Sequence, residues 1–249
     1  MSKYHFYQFD NIEFISVDDA KICFEEHCHA SDFIITLVIN GDAVLTKDNA
    51  RILHKNDIFM IQPYESHSLI SDNKVSMISM CIKKQIVYAL DFNAYQICVE
   101  SSLIEISKQV SFNSKQHRLF YEYALEIYNS YHHVQQTEQN VFMISINMIE
   151  QFPERSNTIE QFANEIYISK YYYIREFKKI AGLTPHKFQI QNRIRKSQKL
   201  LINQNSIADV SIIVGFYDQS HFDKYFKKIV GISPAEYICS VSNFLQAKS

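Results

Sequence analysis

The chain has 249 residues, 47% hydrophobic and 14% aromatic, enough apolar material for two modest cores, which excludes an intrinsically disordered chain. Net charge is only −2, yet residues 150–249 hold 14 Lys and Arg against 9 Asp and Glu, a balance of +5 that leaves residues 1–149 at −7. No apolar run reaches the roughly 18 residues of a membrane helix, no signal-peptide region opens the chain, and five scattered cysteines fit a reducing cytoplasm better than a disulfide framework.

Residues 1–85 read as β. Phe33–Ile39, Ala43–Thr46 and Asp57–Ile61 are short strand-like segments, broken at Asn40-Gly41-Asp42, Lys47-Asp48-Asn49 and Pro63-Tyr64-Glu65-Ser66. Strands of this length and spacing predict a sandwich or small barrel. Within them lie His27-Cys28-His29 and, after Pro63, His67. From about residue 99 the apolar period becomes helical. Leu103, Ile106 and Val110 mark one helix, Leu119, Tyr123, Leu125 and Ile127 a second, and Val141–Ile149 a third. The short polar stretch Phe152–Asn157, with Pro153 and a cap-like Asn157, is the expected domain boundary. His132-His133 sits in a polar stretch and reads as a loop or helix end.

The last third contains an internal repeat. Phe177-Lys178-Lys179-Ile180-Ala181-Gly182-Leu183-Thr184-Pro185 returns 49 residues later as Phe226-Lys227-Lys228-Ile229-Val230-Gly231-Ile232-Ser233-Pro234, with Phe188 and Tyr237 following at the same offset. Each copy ends one helix at a glycine suited to positive φ and starts another at a Thr-Pro or Ser-Pro step. Upstream, Ala163 and Ser211 are small residues where helices must cross, and Ser169 is positioned to cap. The helix after Ser169 turns Tyr173, Phe177 and Ile180 inward, leaving Lys170, Tyr171, Ile174, Arg175 and Lys178 outside. The matching helix turns Phe222 and Phe226 inward and leaves Gln219, Ser220, His221, Asp223 and Lys224 outside. Cations, amides and an exposed aliphatic group on one helix face suit the major groove, where arginine pairs with guanine and apolar groups meet the thymine methyl. A basic C-terminal part joined to an acidic N-terminal part carries the charge footprint of a nucleic-acid binder with a separate sensing domain. The alternative is a protein-interaction bundle with solvated outer faces.

With Val214-Gly215-Phe216-Tyr217-Asp218-Gln219-Ser220-His221-Phe222 leading into the second repeat, residues 158–239 resemble the double helix-turn-helix domain of the AraC/XylS family of bacterial transcription regulators. The resemblance covers about a third of the chain. It implies two units, about 158–180 and 207–229, each placing its second helix in the major groove of promoter DNA. Base contacts then fall to Lys170, Tyr171, Ile174 and Arg175 in the first unit, and to Gln219, Ser220, His221 and Lys224 in the second. Tyr167 stands where the family often has glycine, a cost of ~1 kcal/mol if its φ is positive.

The segment from His27 to His67 resembles the cupin-like sensor domain common in that family. The resemblance implies that His27, His29 and His67 line an effector pocket or hold a divalent metal such as zinc or nickel. The metal-binding glutamate is replaced by Phe33, and the adjacent Asp32 is expected on the opposite strand face.

The expected protein is therefore an α+β multidomain chain. Residues 1–98 form a cupin-like β-barrel with a helical extension. Residues 99–152 form a helical linker and candidate dimerisation region. Residues 153–249 form an all-α domain with two helix-turn-helix units joined by a linker helix. The implied function is a cytoplasmic, DNA-binding transcription regulator, by family habit an activator working with RNA polymerase, controlled by a small-molecule effector. A metal-responsive regulator is the alternative and a metal-dependent cupin enzyme the remote one. No catalytic residue and no certain cofactor is assigned.

Overall fold

A computed structural model describes residues 3–9, 11–132, 141–155, 159–203 and 206–246. Nine strands come first: β1 (Tyr4–Phe9), β2 (Ile12–Ala20), β3 (Cys23–His27), β4 (Asp32–Asn40), β5 (Ala43–Thr46), β6 (Ala50–Leu53), β7 (Ile58–Ile61), β8 (His67–Ile70) and β9 (Val75–Lys83). They form two antiparallel sheets, ordered β1-β2-β9-β4-β7 and β3-β8-β5-β6, one of the two arrangements, sandwich or small barrel, expected from the spacing of the turns.

The larger sheet is covered on both faces. On β4, Phe33, Ile35 and Leu37 pack against helices, while Ile34 and Val38 face the sandwich interior. A strand buried on both sides needs a continuous apolar run rather than alternation, and Phe33–Ile39 supplies one. The covering helices are α1 (Lys84–Ala89), α2 (Phe92–Gln109) and α3 (Ser114–Tyr131). Tyr95, Val99, Leu103 and Ile106 of α2 and Phe120, Ala124 and Ile127 of α3 are fully buried against the sheet.

Helix α2 starts seven residues earlier than the periodicity suggested, because Asp91 accepts a hydrogen bond from the Ala94 N–H and caps it. The residue 98/99 division thus falls inside a continuous helix. α3 opens with a capping box between Asn113 and Gln116 and ends at His132, whose ring is bonded to the Val87 carbonyl at 2.8 Å. His133 lies outside the described residues.

Seven helices follow: α4 (Val141–Gln151), α5 (Ile159–Glu165), α6 (Lys170–Ala181), α7 (Pro185–Ile202), α8 (Ile207–Ile213), α9 (Gln219–Val230) and α10 (Pro234–Gln246). α4 does not join α2 and α3. Its Ile146 and Ile149 are buried with Phe162, Tyr173, Phe177 and Phe188 of the first helical unit. The segment after α4 is tied to α7, where Arg193 Nε donates to the Pro153 carbonyl at 2.8 Å and Lys196 meets Glu154 at 2.8 Å. Asn157, the expected cap, lies outside the described residues. The second unit shares one continuous core with the sandwich, in which Phe226 meets Tyr237 at 5.5 Å and Tyr237 meets Phe6 of β1 at 4.9 Å. Among the described residues no helix is long and apolar enough to cross a membrane.

Candidate functional site

The repeat builds two helix pairs, α5–α6 and α8–α9. Their turns differ in one respect. Gly215 carries the positive φ (89°) in the second turn, whereas Tyr167 carries it (56°) in the first, with its side chain almost wholly exposed. The sequence-level cost of a non-glycine left-handed residue therefore applies at Tyr167.

Ser169 caps α6 through the Tyr172 N–H and Asp218 caps α9 through the His221 N–H. Both helices end at a left-handed glycine, Gly182 and Gly231. After Gly231, Ser233 and Glu236 cap α10 reciprocally, with Glu236 accepting from the Ser233 N–H at 2.8 Å. After Gly182 the equivalent Thr184 has the N-cap backbone and a following proline but makes no side-chain cap bond.

The candidate DNA contacts fall largely where the sequence placed them. Lys170, Tyr171 and Arg175 are exposed on α6, Ile174 is half-buried, and Gln219, Ser220, His221 and Lys224 are exposed on α9. Lys170 is held by Glu160, and Arg175 donates to Glu176 at 3.2 Å while its guanidinium lies 5.1 Å from the Tyr172 ring centre. Asp223 departs from the expected outward placement: it is half-buried and its Oδ1 is sequestered without a hydrogen-bond partner among the described residues.

The opposite ends of α6 and α9 face the sandwich. Lys178 and Lys187 converge on Glu26, and Lys228 lies 2.8 Å from Glu25, so adjacent acids of β3 hold cations from both units. These acids and the C-terminal cations account for part of the sequence's charge division.

Beneath this contact lies a cavity of about 320 Å³, lined by the inner faces of both sheets and closed by α7, α9 and α10. Phe6, Ile15, Phe24, Phe59 and Leu69 make one apolar wall. The three predicted histidines meet at the polar end, with ligand-capable nitrogens all within 4.8 Å of one another. The β3–β8 register pairs His27 with His67, and a bridge from His29 to Pro63 brings in the third ring. His27 Nδ1 donates to the Glu25 carbonyl at 2.7 Å and His67 Nδ1 to the Glu65 carbonyl at 3.0 Å, which leaves each Nε2 as the free nitrogen. Burial holds all three imidazoles neutral, His27 down to about 3, His67 down to about 4 and His29 well below its usual range. Cys28 and Cys23 do not join them: Cys28 Sγ contacts the Ala181 carbonyl and Cys23 is exposed. Glu65 is a turn acid, paired with Lys47 at 2.8 Å.

Phe33 and Asp32 correct the sequence reading. Phe33 points away from the cavity into the core under α2 and α3, and Asp32 is the residue that lines the cavity. Glu13, Lys83, Arg195 and Lys199 gather at the same end and were missed. An acid between Ile12 and Phe14 on a strand covered on both faces was the available signal for Glu13.

Helix α7 reaches into this end. The Gln191 amide brackets Cys28, accepting its N–H at 3.0 Å and donating to its carbonyl, and Arg195 Nη2 donates to that carbonyl at 2.8 Å while lying 3.4 Å from His29 Nδ1. The helix that joins the two helical units thus also grips Cys28, the residue between His27 and His29.

The signature of the helix-turn-helix domain family matches residues 162–238. The transcriptional regulator MtrA of Neisseria gonorrhoeae is 34% identical over 86 residues, 34% of this chain and 29% of its own length. The regulator YdiP of Escherichia coli is 25% identical over 191 residues, 72% of this chain and 59% of its own. The chain therefore spans only part of the curated relatives it matches. Among solved structures, ToxT of Vibrio cholerae O395 aligns over 97% of this chain and 99% of its own, with a TM-score of 0.60 at 14% identity. At that identity the likeness shows the fold, a β-domain followed by a helical region. ToxT has also been solved with an unsaturated fatty acid bound, a structure that matches with a TM-score of 0.55.

Proposed function

We propose that this chain, whose residues 162–238 match the helix-turn-helix domain family, is a sequence-specific DNA-binding transcription regulator of the AraC/XylS type whose DNA affinity is set by a small organic effector in the cavity. The observation that carries this reading is α7. It joins the two reading units, and through Gln191 and Arg195 it also forms a wall of the cavity at the histidines. A ligand there acts on the placement of both units only to the extent that it binds one arrangement more tightly than the other. A protein of the same fold with a bound fatty acid supports an organic molecule as the occupant.

On this reading residues 1–98 are the sensor, 153–249 the DNA-binding domain, and 99–152 contain the dimer surface. The exposed Ile104 of α2, on one face with the exposed Ile97 just before that region, supports a homodimer. A strict monomer at roughly tens of micromolar, with and without DNA, counts against that part. RNA polymerase is the partner if the output is activation, and the setting is the cytoplasm. No residue is assigned a catalytic role, and the reading is of a regulator rather than an enzyme.

Selection of bound sequences from random duplex DNA, followed by titration of the enriched site, tests the reading. Arg175→Ala is expected to lose ~1–3 kcal/mol of specific affinity and to relax preference at one position, with non-specific binding much less affected. Failure to enrich any sequence defeats the regulator reading. An unchanged Arg175→Ala affinity defeats only that contact.

A second reading makes zinc or nickel the signal, favoured by the three convergent neutral imidazoles. The Glu25 and Glu65 carbonyls fix two ring tautomers in the manner of outer-shell partners, so His27, His29 and His67 would hold the ion. Bound there, it would supply a charge beside Arg195. On this reading zinc or nickel raises Tm of the parent protein and not of His67→Ala.

A further inference from the structure

The polar end of the cavity holds charges of both signs, and not all of them are paired among the described residues. Glu13 projects inward from β2, and among the described residues its carboxylate makes no hydrogen bond or ion pair. Asp32 of β4 lies beside it, braced by the Ser31 hydroxyl, which donates to Asp32 Oδ2 at 3.1 Å. Lys83 of β9 and Arg195 and Lys199 of α7 are the nearby cations. Arg195 is committed through one amino group to the Cys28 carbonyl, and Lys199 lines the cavity without an ion pair among the described residues. The remainder of the wall is apolar.

We propose that the cavity binds a zwitterionic amphiphile, an α-amino acid with a long apolar side chain or a molecule of the same polarity, with its ammonium on Glu13 and Asp32 and its carboxylate on Arg195 and Lys199. The inference rests on reading the cavity as the effector site. A half-buried carboxylate without a hydrogen bond is costly unless a cation or donor reaches it. A simple fatty acid would satisfy the cations and leave the two acids facing a third negative charge. A zwitterion answers both sets of charges, and its apolar body fills the wall formed by Phe6, Phe24 and Phe59.

Proton linkage supplies an independent readout. Burial first, then Asp32, raises the Glu13 carboxyl to about 7, with Lys83, Arg195 and Lys199 opposing the shift. The other groups at this end, the three histidines, are held neutral, and the Cys81 thiol on β9 and the Tyr237 phenol on α10 are both held protonated by burial. In this range Glu13 is therefore the group that changes charge. An ammonium binds the ionised carboxylate and expels its proton, so affinity rises with pH towards and through about 7. A lone carboxylate ligand has the opposite sign, because it favours the protonated acid.

The experiment is calorimetric titration of the full-length protein with four probes sharing one chain: 2-aminodecanoate, decanoate, decylamine and decanol. The expected result is 2-aminodecanoate binding roughly ten-fold or more tighter than the other three near neutral pH. Its affinity should strengthen between about pH 6 and about pH 8. In Glu13→Gln that advantage over decanoate should vanish. Should Glu13→Gln fail to fold, the pH dependence of the parent protein still decides. Decanoate binding as tightly as 2-aminodecanoate, or 2-aminodecanoate weakening as pH rises, overturns the zwitterion and leaves the effector cavity standing. No binding by any of the four overturns both.

Discussion

Phe226→Ala is expected to lower stability by about 3–5 kcal/mol and to remove DNA binding and cavity binding together. Phe226 is fully buried at the centre of the second unit, 5.5 Å from Phe222 and 5.5 Å from Tyr237 by ring centres. Tyr237 in turn meets Phe6 of β1 at 4.9 Å, and Val230 and Tyr237 line the cavity. Truncating the ring therefore loosens α9 against α10 and α10 against the sandwich in one step. Whole-domain stabilities are commonly about 5–15 kcal/mol, so a loss of this size leaves the second unit marginal. The check is thermal unfolding alongside binding of the selected DNA. Lys224→Ala, an exposed change on the same helix, should stay within about 0.5 kcal/mol in stability while weakening DNA affinity. Equal stability losses for the two variants would mean that α9 is not the hinge between core and reading surface.

That contrast also explains why the C-terminal part was legible in the sequence. Its helix ends are dictated by local chemistry. Gly182, Gly215 and Gly231 are needed because the backbone turns left-handed at each, and Ser169, Asp218 and Ser233 are placed to satisfy the first free N–H groups. A repeat of such signals fixes which residues turn inward, so the exposed set on α6 and α9 follows. Asp223 escaped because a half-buried carboxylate breaks the rule that charge faces water, and nothing within one helix reports it.

The cavity was only half legible. The histidines carried a recognisable spacing, and the β3–β8 register does bring His27 against His67. Strand parity was sound reasoning on the wrong reference. Taking Phe33 as the cavity residue sent Asp32 outward, but both faces of β4 are covered, so an aromatic residue there was no guide to which face held the pocket. Glu13 sits more than 180 residues before Arg195 and Lys199, which lie one turn apart on α7. Only docking of the second unit on the sandwich brings them together, and no local pattern encodes that docking. The same limit hid where α4 packs, because its apolar face reads alike whether it covers the sheet or, as it does, the first helical unit.

Gly182→Ala is expected to be far more disruptive than Gly231→Ala, although the two glycines occupy equivalent places in the repeat and have φ of 75° and 90°. Each alanine pays the left-handed backbone penalty of roughly 1–2 kcal/mol. What surrounds them differs. A Cβ on Gly182 would sit 2.0 Å from the Tyr64 carbonyl oxygen and 3.3 Å from the Ser66 nitrogen, both backbone atoms of the turn leading to His67. That turn is held in place, since the Tyr64 N–H donates to the His29 carbonyl and its hydroxyl to Glu150. A Cβ on Gly231 would instead meet the rim of the Phe24 ring at 2.6 Å and Tyr4 at 3.3 Å, side chains that can rotate aside. Gly182→Ala must therefore push the first unit off the sandwich, while Gly231→Ala only repacks an aromatic contact. The expected signature is faster hydrogen exchange over residues 24–29 and 62–67 in Gly182→Ala, with α5 and α6 still protected. Gly231→Ala should remain close to the parent in those segments. If the docked arrangement withholds the reading helices from DNA, Gly182→Ala also binds the selected site more tightly than the parent without effector. Parent-like exchange in Gly182→Ala would mean that the turn yields, and that the grip of the first unit on the sensor rests on Gln191, Arg195 and the Glu26 ion pairs instead.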